Sequence, residues 1–198
     1  MFRPMPSHYT PPRPWQPMSQ PEWDALRPHI LWLGAGRPVK DLRARVDGMF
    51  WIATSRRPWK DLPEAFGKPD TVSRQFRRLT QRHLWQKLLH LLAEPGASPG
   101  LRALEHWICR ACQRAMRCAG MSLITAAQRL GFLTALRGPS FLLPDVDLSE
   151  RYRRITEFFL TRLLKDRNSV PKGVFALCGR LLTFVGGRRR IPRCLWPD

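Results

Sequence analysis

Apolar residues recur along this chain at intervals of three and four, the spacing of one helix face. Trp23, Leu26 and Ile30 predict a helix to about residue 31, opened by Ser19 and Glu22 as a capping box with Pro21 in the first turn. Leu42, Val46, Met49, Phe50 and Ala53 predict a second helix from Asp41, of about four turns, packed on the first. Leu84, Leu88 and Leu91 with Trp85 make another amphipathic helix, and further helical patterns run over 101–119, 121–135, 149–166 and 172–185. Alternation with period two is nearly absent, so the pattern predicts an all-α fold, a helical bundle.

Breaks in the pattern divide the chain. Residues 1–17 hold six prolines without periodicity and are expected to be a disordered Pro-rich arm. Residues 18–94 are expected to form one domain. "EPGASPG", with two prolines and two glycines, marks a linker at 95–100. A second helical region of unknown role follows over 101–186, and 187–198 reads as a basic tail.

Between the second helix and the one led by Leu84 lies "PWKDLPEAFG", residues 58–67. Asp61 and Glu64 could be a carboxylate pair, but their spacing suits a capping box on a helix of one to two turns, with Phe66 toward the core and Gly67 as a left-handed cap. A turn over 67–70 then leads to a helix from Thr71. On that helix Val72, Phe76 and Leu79 share one face, while Arg74, Arg77, Arg78 and Arg82 share the opposite one. Short helix, turn and arginine-bearing helix make a helix-turn-helix plan. An apolar stripe that docks the helix and guanidinium groups along its outer face suit a phosphate backbone or a major groove.

Charge strengthens this. The chain carries a formal +19 from 34 Lys and Arg against 15 Asp and Glu, which favours polyanionic partners. Placement matters more than the total: from Lys68 to His90 there are six basic residues and one acid. The expected contacts to double-stranded DNA are Arg74, Arg77, Arg78 and Arg82, with Thr71 and Ser73 near the backbone and Lys68 and Arg37 as secondary contacts. Arg37, in "GRP", suits either a minor-groove contact or a tight turn.

Other chemistry is sparse. His106, Cys109, Cys112 and Cys118 invite a zinc reading, yet they lie on one continuous helical pattern without a matching second pair, so buried thiols are expected and no metal. Asp145 and Asp147 are the only close Asp pair after residue 100, and Asp147 with Glu150 reads as a helix start. No catalytic residue and no cofactor is expected. No apolar window is long enough to span a membrane, no export signal is evident, and five cysteines read as reduced thiols. The expected location is therefore cytoplasmic, at the bacterial nucleoid.

Residues 18–94 resemble the N-terminal DNA-binding region of bacterial insertion-sequence transposases, the small Asp-Asp-Glu type of groups four and five. The resemblance rests on Trp23, Leu26 and Pro28, then Gly36-Arg37-Pro38 and Asp41-Leu42-Arg43. It continues through Pro58-Trp59-Lys60-Asp61-Leu62-Pro63, Phe66-Gly67, Thr71-Val72, Phe76-Arg77-Arg78 and Leu84-Trp85. It implies a helical module that recognises the terminal inverted repeats of a mobile element. The chain departs from the pattern at Arg56-Arg57, where Thr-Gly is usual, at Lys68-Pro69-Asp70, where Pro-Trp-Ser is common, and at Leu79, often tryptophan. These changes bear on sequence preference and leave the electrostatics intact. The resemblance also implies a catalytic domain of ribonuclease-H type with three metal-holding carboxylates. Residues 101–198 offer helices and few acids instead, so the chain by itself is not expected to cut or join DNA. A second-frame polypeptide would supply that half. Two alternatives are an intact or partial transposase with unrecognised acids, and a helical scaffold whose 101–198 half binds a partner protein.

Overall fold

In the computed structural model the described residues are 7–31, 41–188 and 191–196, and among them every regular element is helical. The α-helices are α1 (Gln20–Leu31), α2 (Leu42–Ser55), α3 (Pro69–Gln81), α4 (Leu84–Ala93), α5 (Pro99–Ala103), α6 (Glu105–Ala119), α7 (Met121–Arg129), α8 (Val146–Lys165) and α9 (Val174–Val185). Short 3-10 turns lie among them. The chain divides into two compact units, 1–137 and 138–196.

In the first unit α6 is the central helix. Trp107, Ile108, Cys109, Ala111, Cys112 and Ala115 are fully buried on it, so its sides are packed rather than solvated. α2, α3, α4 and α7 all pack on α6, and α1 packs on α5. The core is aromatic: the Phe50 ring lies 5.8 Å from Trp107 and 6.2 Å from Trp85, and Phe76 lies 5.0 Å from Trp85. Such ring pairs contribute on the order of 1 kcal/mol each beyond the apolar area they bury.

This arrangement corrects the expected linker. Residues 95–100 join helices of one core. Ser98 caps α5 by accepting the Leu101 N–H at 3.3 Å, and Pro99 occupies the first helical position. Gly100 lies so close to α1 that an added Cβ would stand 2.6 Å from the Pro21 carbonyl oxygen. Arg102 holds the preceding turn, donating to the carbonyls of Glu94, Pro95 and Ala97 at 3.1, 3.0 and 3.3 Å. Proline and glycine here serve a cap and a close contact.

The expected disordered arm is corrected likewise from residue 7 onward. His8 forms a parallel bridge with Phe132, and its ring nitrogen lies 3.0 Å from Glu105. The Thr10 N–H donates to the Thr134 hydroxyl at 2.8 Å. Arg13 pairs with Glu22 at 2.7 Å and stacks over Trp107 at 4.2 Å. Trp15 donates to the Asp47 carbonyl at 3.2 Å. The segment lacks helical periodicity because it is an extended strap, whose polar groups bond to helices distant in sequence.

α1 and α2 match their expected spans closely, and Glu22 closes its half of the capping box by accepting the Ser19 N–H at 2.8 Å. The 121–135 pattern is α7 followed by a 3-10 turn at Leu133–Ala135.

In the second unit α8 and α9 pair antiparallel: the Asp145 N–H bonds to the Val185 carbonyl at 3.0 Å, joining the start of one to the end of the other. The cap of α8 is Asp145, accepting the Leu148 N–H at 2.9 Å, and Asp147 lies in the first turn, so the expected start at Asp147 shifts by two residues. The described part of the expected basic tail folds back: the Arg188 N–H bonds to the Leu142 carbonyl at 2.7 Å, and Arg193–Leu195 form a 3-10 turn. Among the described residues no helix is long and apolar enough to cross a membrane.

Candidate nucleic-acid interface

α3 begins at Pro69, two residues before the expected start, because proline at the first position lacks only a hydrogen bond that no helix makes there. The approach to it differs from the expected capped helix. Two 3-10 turns, Trp59–Asp61 and Glu64–Phe66, are entered from Pro58 and Pro63, and neither Asp61 nor Glu64 caps a helix. Pro63 lacks the N–H that would continue a helix from Trp59, and the residue before it, Leu62, is extended with ψ 126°, so the segment breaks into two turns. Gly67 has φ +99° and ψ 179°, outside the left-handed helical well and reachable essentially only by glycine. Leu62 is the buried anchor of this segment, while Trp59 and Phe66 are half-buried.

The 13-residue α3 has chemically opposite faces. Val72, Phe76 and Leu79 are buried; Phe76 also packs 5.4 Å from Trp59. Thr80 donates its hydroxyl to the Phe76 carbonyl and accepts the Trp85 indole N–H, both at 2.9 Å. These contacts fix the rotation of α3 about its axis. Arg74, Arg77 and Arg78 consequently face solvent, and Arg82 is exposed as the residue that follows the last turn. None of the four side chains makes a hydrogen bond or ion pair with another described residue. A row of guanidinium groups without carboxylates keeps its donors free for an incoming anion.

Lys68 and Thr71 are exposed at the start of α3, where unsatisfied backbone N–H groups favour negative charge. Ser73 is not exposed as expected: it is buried and its hydroxyl donates to the Asp70 carbonyl at 3.0 Å. Arg37 lies outside the described residues. The connection from α2 to α3 spans residues 56–68, longer than the three or four residues of a helix-turn-helix, whereas Arg82 and His83 alone separate α3 from α4. The apolar face of α4, with Leu84, Trp85, Leu88, Leu89 and Leu92 buried, fixes it in the core. Of α3 and α4, the exposed basic helix is α3.

The sequence reading passed over basic residues beside this helix. Arg114 of α6 stacks over Trp59 at 4.7 Å, on the turn that packs against Phe76. Burial and the neighbouring Arg117 lower its pKa to about 10. Arg110, Arg114 and Arg117 recur at intervals of four and three, a spacing visible in the sequence, and of the three Arg110 is buried and donates to Gln113 at 3.1 Å.

Two of the three cysteines on α6 are packing groups. Cys109 and Cys112 are fully buried, and burial raises the Cys109 thiol to about 12 despite its contact with the Thr10 hydroxyl. Cys118 is exposed. Among the described residues no three His, Cys, Asp or Glu side chains are grouped to hold a metal. In the second unit Asp145 is spent as a cap, and Glu150 is bound by Arg153 and Arg154 at 2.8 and 3.2 Å.

A family model described as "Putative transposase of IS4/5 family" matches residues 18–89, from the residue before the α1 capping box to the middle of α4. No curated protein and no solved structure gives a match. This part of the chain is thus similar to transposases of mobile elements, and the match takes in all of α2 and α3.

Proposed function

We propose that the first unit binds double-stranded DNA through the exposed face of α3, with the terminal inverted repeats of a mobile element as its target. The observation that carries this reading is the set of four arginines, Arg74, Arg77, Arg78 and Arg82, held outward by a buried apolar face and unpaired among the described residues. Phosphate contacts from such a row supply affinity and steer association, and the side chains that reach base edges supply preference. Lys68 and Thr71 extend the row at the helix start. The chain acts as the recognition part of a transposition system, and strand cleavage belongs to a second polypeptide.

The test is Arg77→Ala with Arg78→Ala, assayed for binding to element-end duplex across a salt series. Both side chains are exposed, so folding, followed by circular dichroism, should be preserved. The expected outcome is weaker binding and a salt slope reduced by about 1–2. Unchanged affinity and slope would remove α3 from the interface.

A second reading concerns residues 138–196. Ile155, Phe158, Leu164, Leu177 and Phe184 are large apolar side chains exposed on the α8–α9 pair. Exposed large apolar side chains in such number favour a protein contact. The second-frame catalytic polypeptide is the partner this reading assigns. Co-expression with that product should yield a complex that survives neutralising the α3 arginines and is lost with Phe158→Asp.

A further inference from the structure

We infer that Arg114 and Arg117 of α6 form a second phosphate-contact site on the same DNA duplex that α3 engages. This rests on the α3 reading and extends it to an element outside the matched family region.

The site is built around Trp59. One face of its environment is the α3 ring Phe76 at 5.4 Å, and the Arg114 guanidinium lies 4.7 Å from its centroid. A single aromatic side chain therefore separates this cation from Phe76, on the face of α3 that lies behind the arginine row. Arg114 is half-buried, its Nε is buried without a hydrogen-bond partner, and Arg117 one turn later is exposed. The Arg117 side chain makes no hydrogen bond or ion pair with another described residue. Its charge is close enough to lower the pKa of Arg114, and that of Arg137 beyond it. Like charges held together, one of them desolvated, raise the free energy of the unliganded protein.

Two local effects offset part of this cost. The tryptophan ring attracts Arg114, and the C-terminal turn of α6 favours a positive charge at Arg117. Neither supplies the hydrogen-bond acceptors that guanidinium donors require. A phosphate supplies charge and acceptors together, and suits the planar fork of arginine. Because Arg114 is braced on Trp59, which in turn braces α3, both rows are positioned by one aromatic cluster. A duplex lying along α3 would meet the α6 arginines on the next stretch of its backbone.

The experiment compares three full-length variants in salt-dependent binding to duplex DNA. They are Arg117→Ala, Arg114→Lys with Arg117→Ala, and the Arg77→Ala, Arg78→Ala double variant. Arg117 is exposed, so its removal leaves the fold intact; the lysine at 114 keeps a charge over Trp59. Arg117→Ala should lower the salt slope by about 0.9, one phosphate contact, and the Arg114→Lys, Arg117→Ala variant should lose at least as much. Phosphate-ethylation interference should lose a patch different from the one lost in the α3 variant. An unchanged slope and footprint in Arg117→Ala, with loss in the α3 variant, would overturn this inference and leave the α3 reading standing. Loss in Arg117→Ala without loss in the α3 variant would overturn the α3 reading and, with it, the shared duplex.

Discussion

Several single residues carry functions that their neighbours in sequence do not suggest. His106 is buried on α6, and desolvation lowers its pKa to about 4, with Arg110 adding repulsion. A histidine held neutral in the fold but protonated when unfolded contributes stability above its ordinary pKa of 6.5, which is lost as pH falls toward 4. The loss should approach 3 kcal/mol, order of magnitude. His106→Leu should flatten denaturant-measured stability between pH 6.5 and 4 relative to the parent chain. Glu22 acts at lower pH. Burial raises its pKa, but Arg13 and the Ser19 N–H outweigh burial and the net shift is downward. Its contribution is therefore present above 4.5 and lost as pH falls through the lowered value. Asp47 has the opposite sign, since burial raises its carboxyl above the ordinary 3.8 even though the Met18 N–H bonds to it. Asp47→Asn keeps an acceptor for that N–H and should be neutral or slightly stabilising at pH 7, whereas Glu22→Gln should cost about 2 kcal/mol.

At the scale of elements, the contrast lies between α3 and the segment that leads into it. The two faces of α3 are legible in the sequence because helix periodicity and burial agree: Val72, Phe76 and Leu79 are inside, and Arg74, Arg77 and Arg78 are outside. Ser73 escaped because its spacing beside Val72 puts it at the edge of the buried face, where its hydroxyl finds the Asp70 carbonyl. "PWKDLPEAFG" was legible as a short connector and not in its form. Capping residues and prolines both signal helix starts, and here Pro63 prevailed, lacking an N–H and following an extended Leu62. Gly67 is the sensitive position, since its φ and ψ strain any side chain. Gly67→Ala should lower stability by about 1–3 kcal/mol in thermal or denaturant unfolding. Loss below 0.5 kcal/mol would show that this backbone conformation is not required.

For the whole molecule, the units divide at residue 137, beyond the proline- and glycine-rich stretch that reads as a linker. Limited proteolysis distinguishes the two accounts. With Arg102 holding three carbonyls of the 94–97 turn and Gly100 seated against α1, residues 95–100 should resist cleavage under native conditions. Early mass-spectrometric cuts within 95–100 would restore the linker. Arg102→Ala should expose them, because the turn would lose those hydrogen bonds.

By itself the sequence determined the all-helical class, the spans of α1 and α2, and the basic face of α3, because each follows from local periodicity and residue type. It also carried the resemblance over residues 18–94, to which the matched region 18–89 corresponds. Only the tertiary structure decided that α6 is the centre of the first unit, that residues 7–17 are a strap, and that Arg114 stacks on Trp59, the ring that packs on Phe76 of α3. Those outcomes depend on contacts between residues far apart in the chain, such as Thr10 with Thr134 and Arg114 with Trp59. Periodicity states which face of a helix is buried; it is silent on which helix buries it.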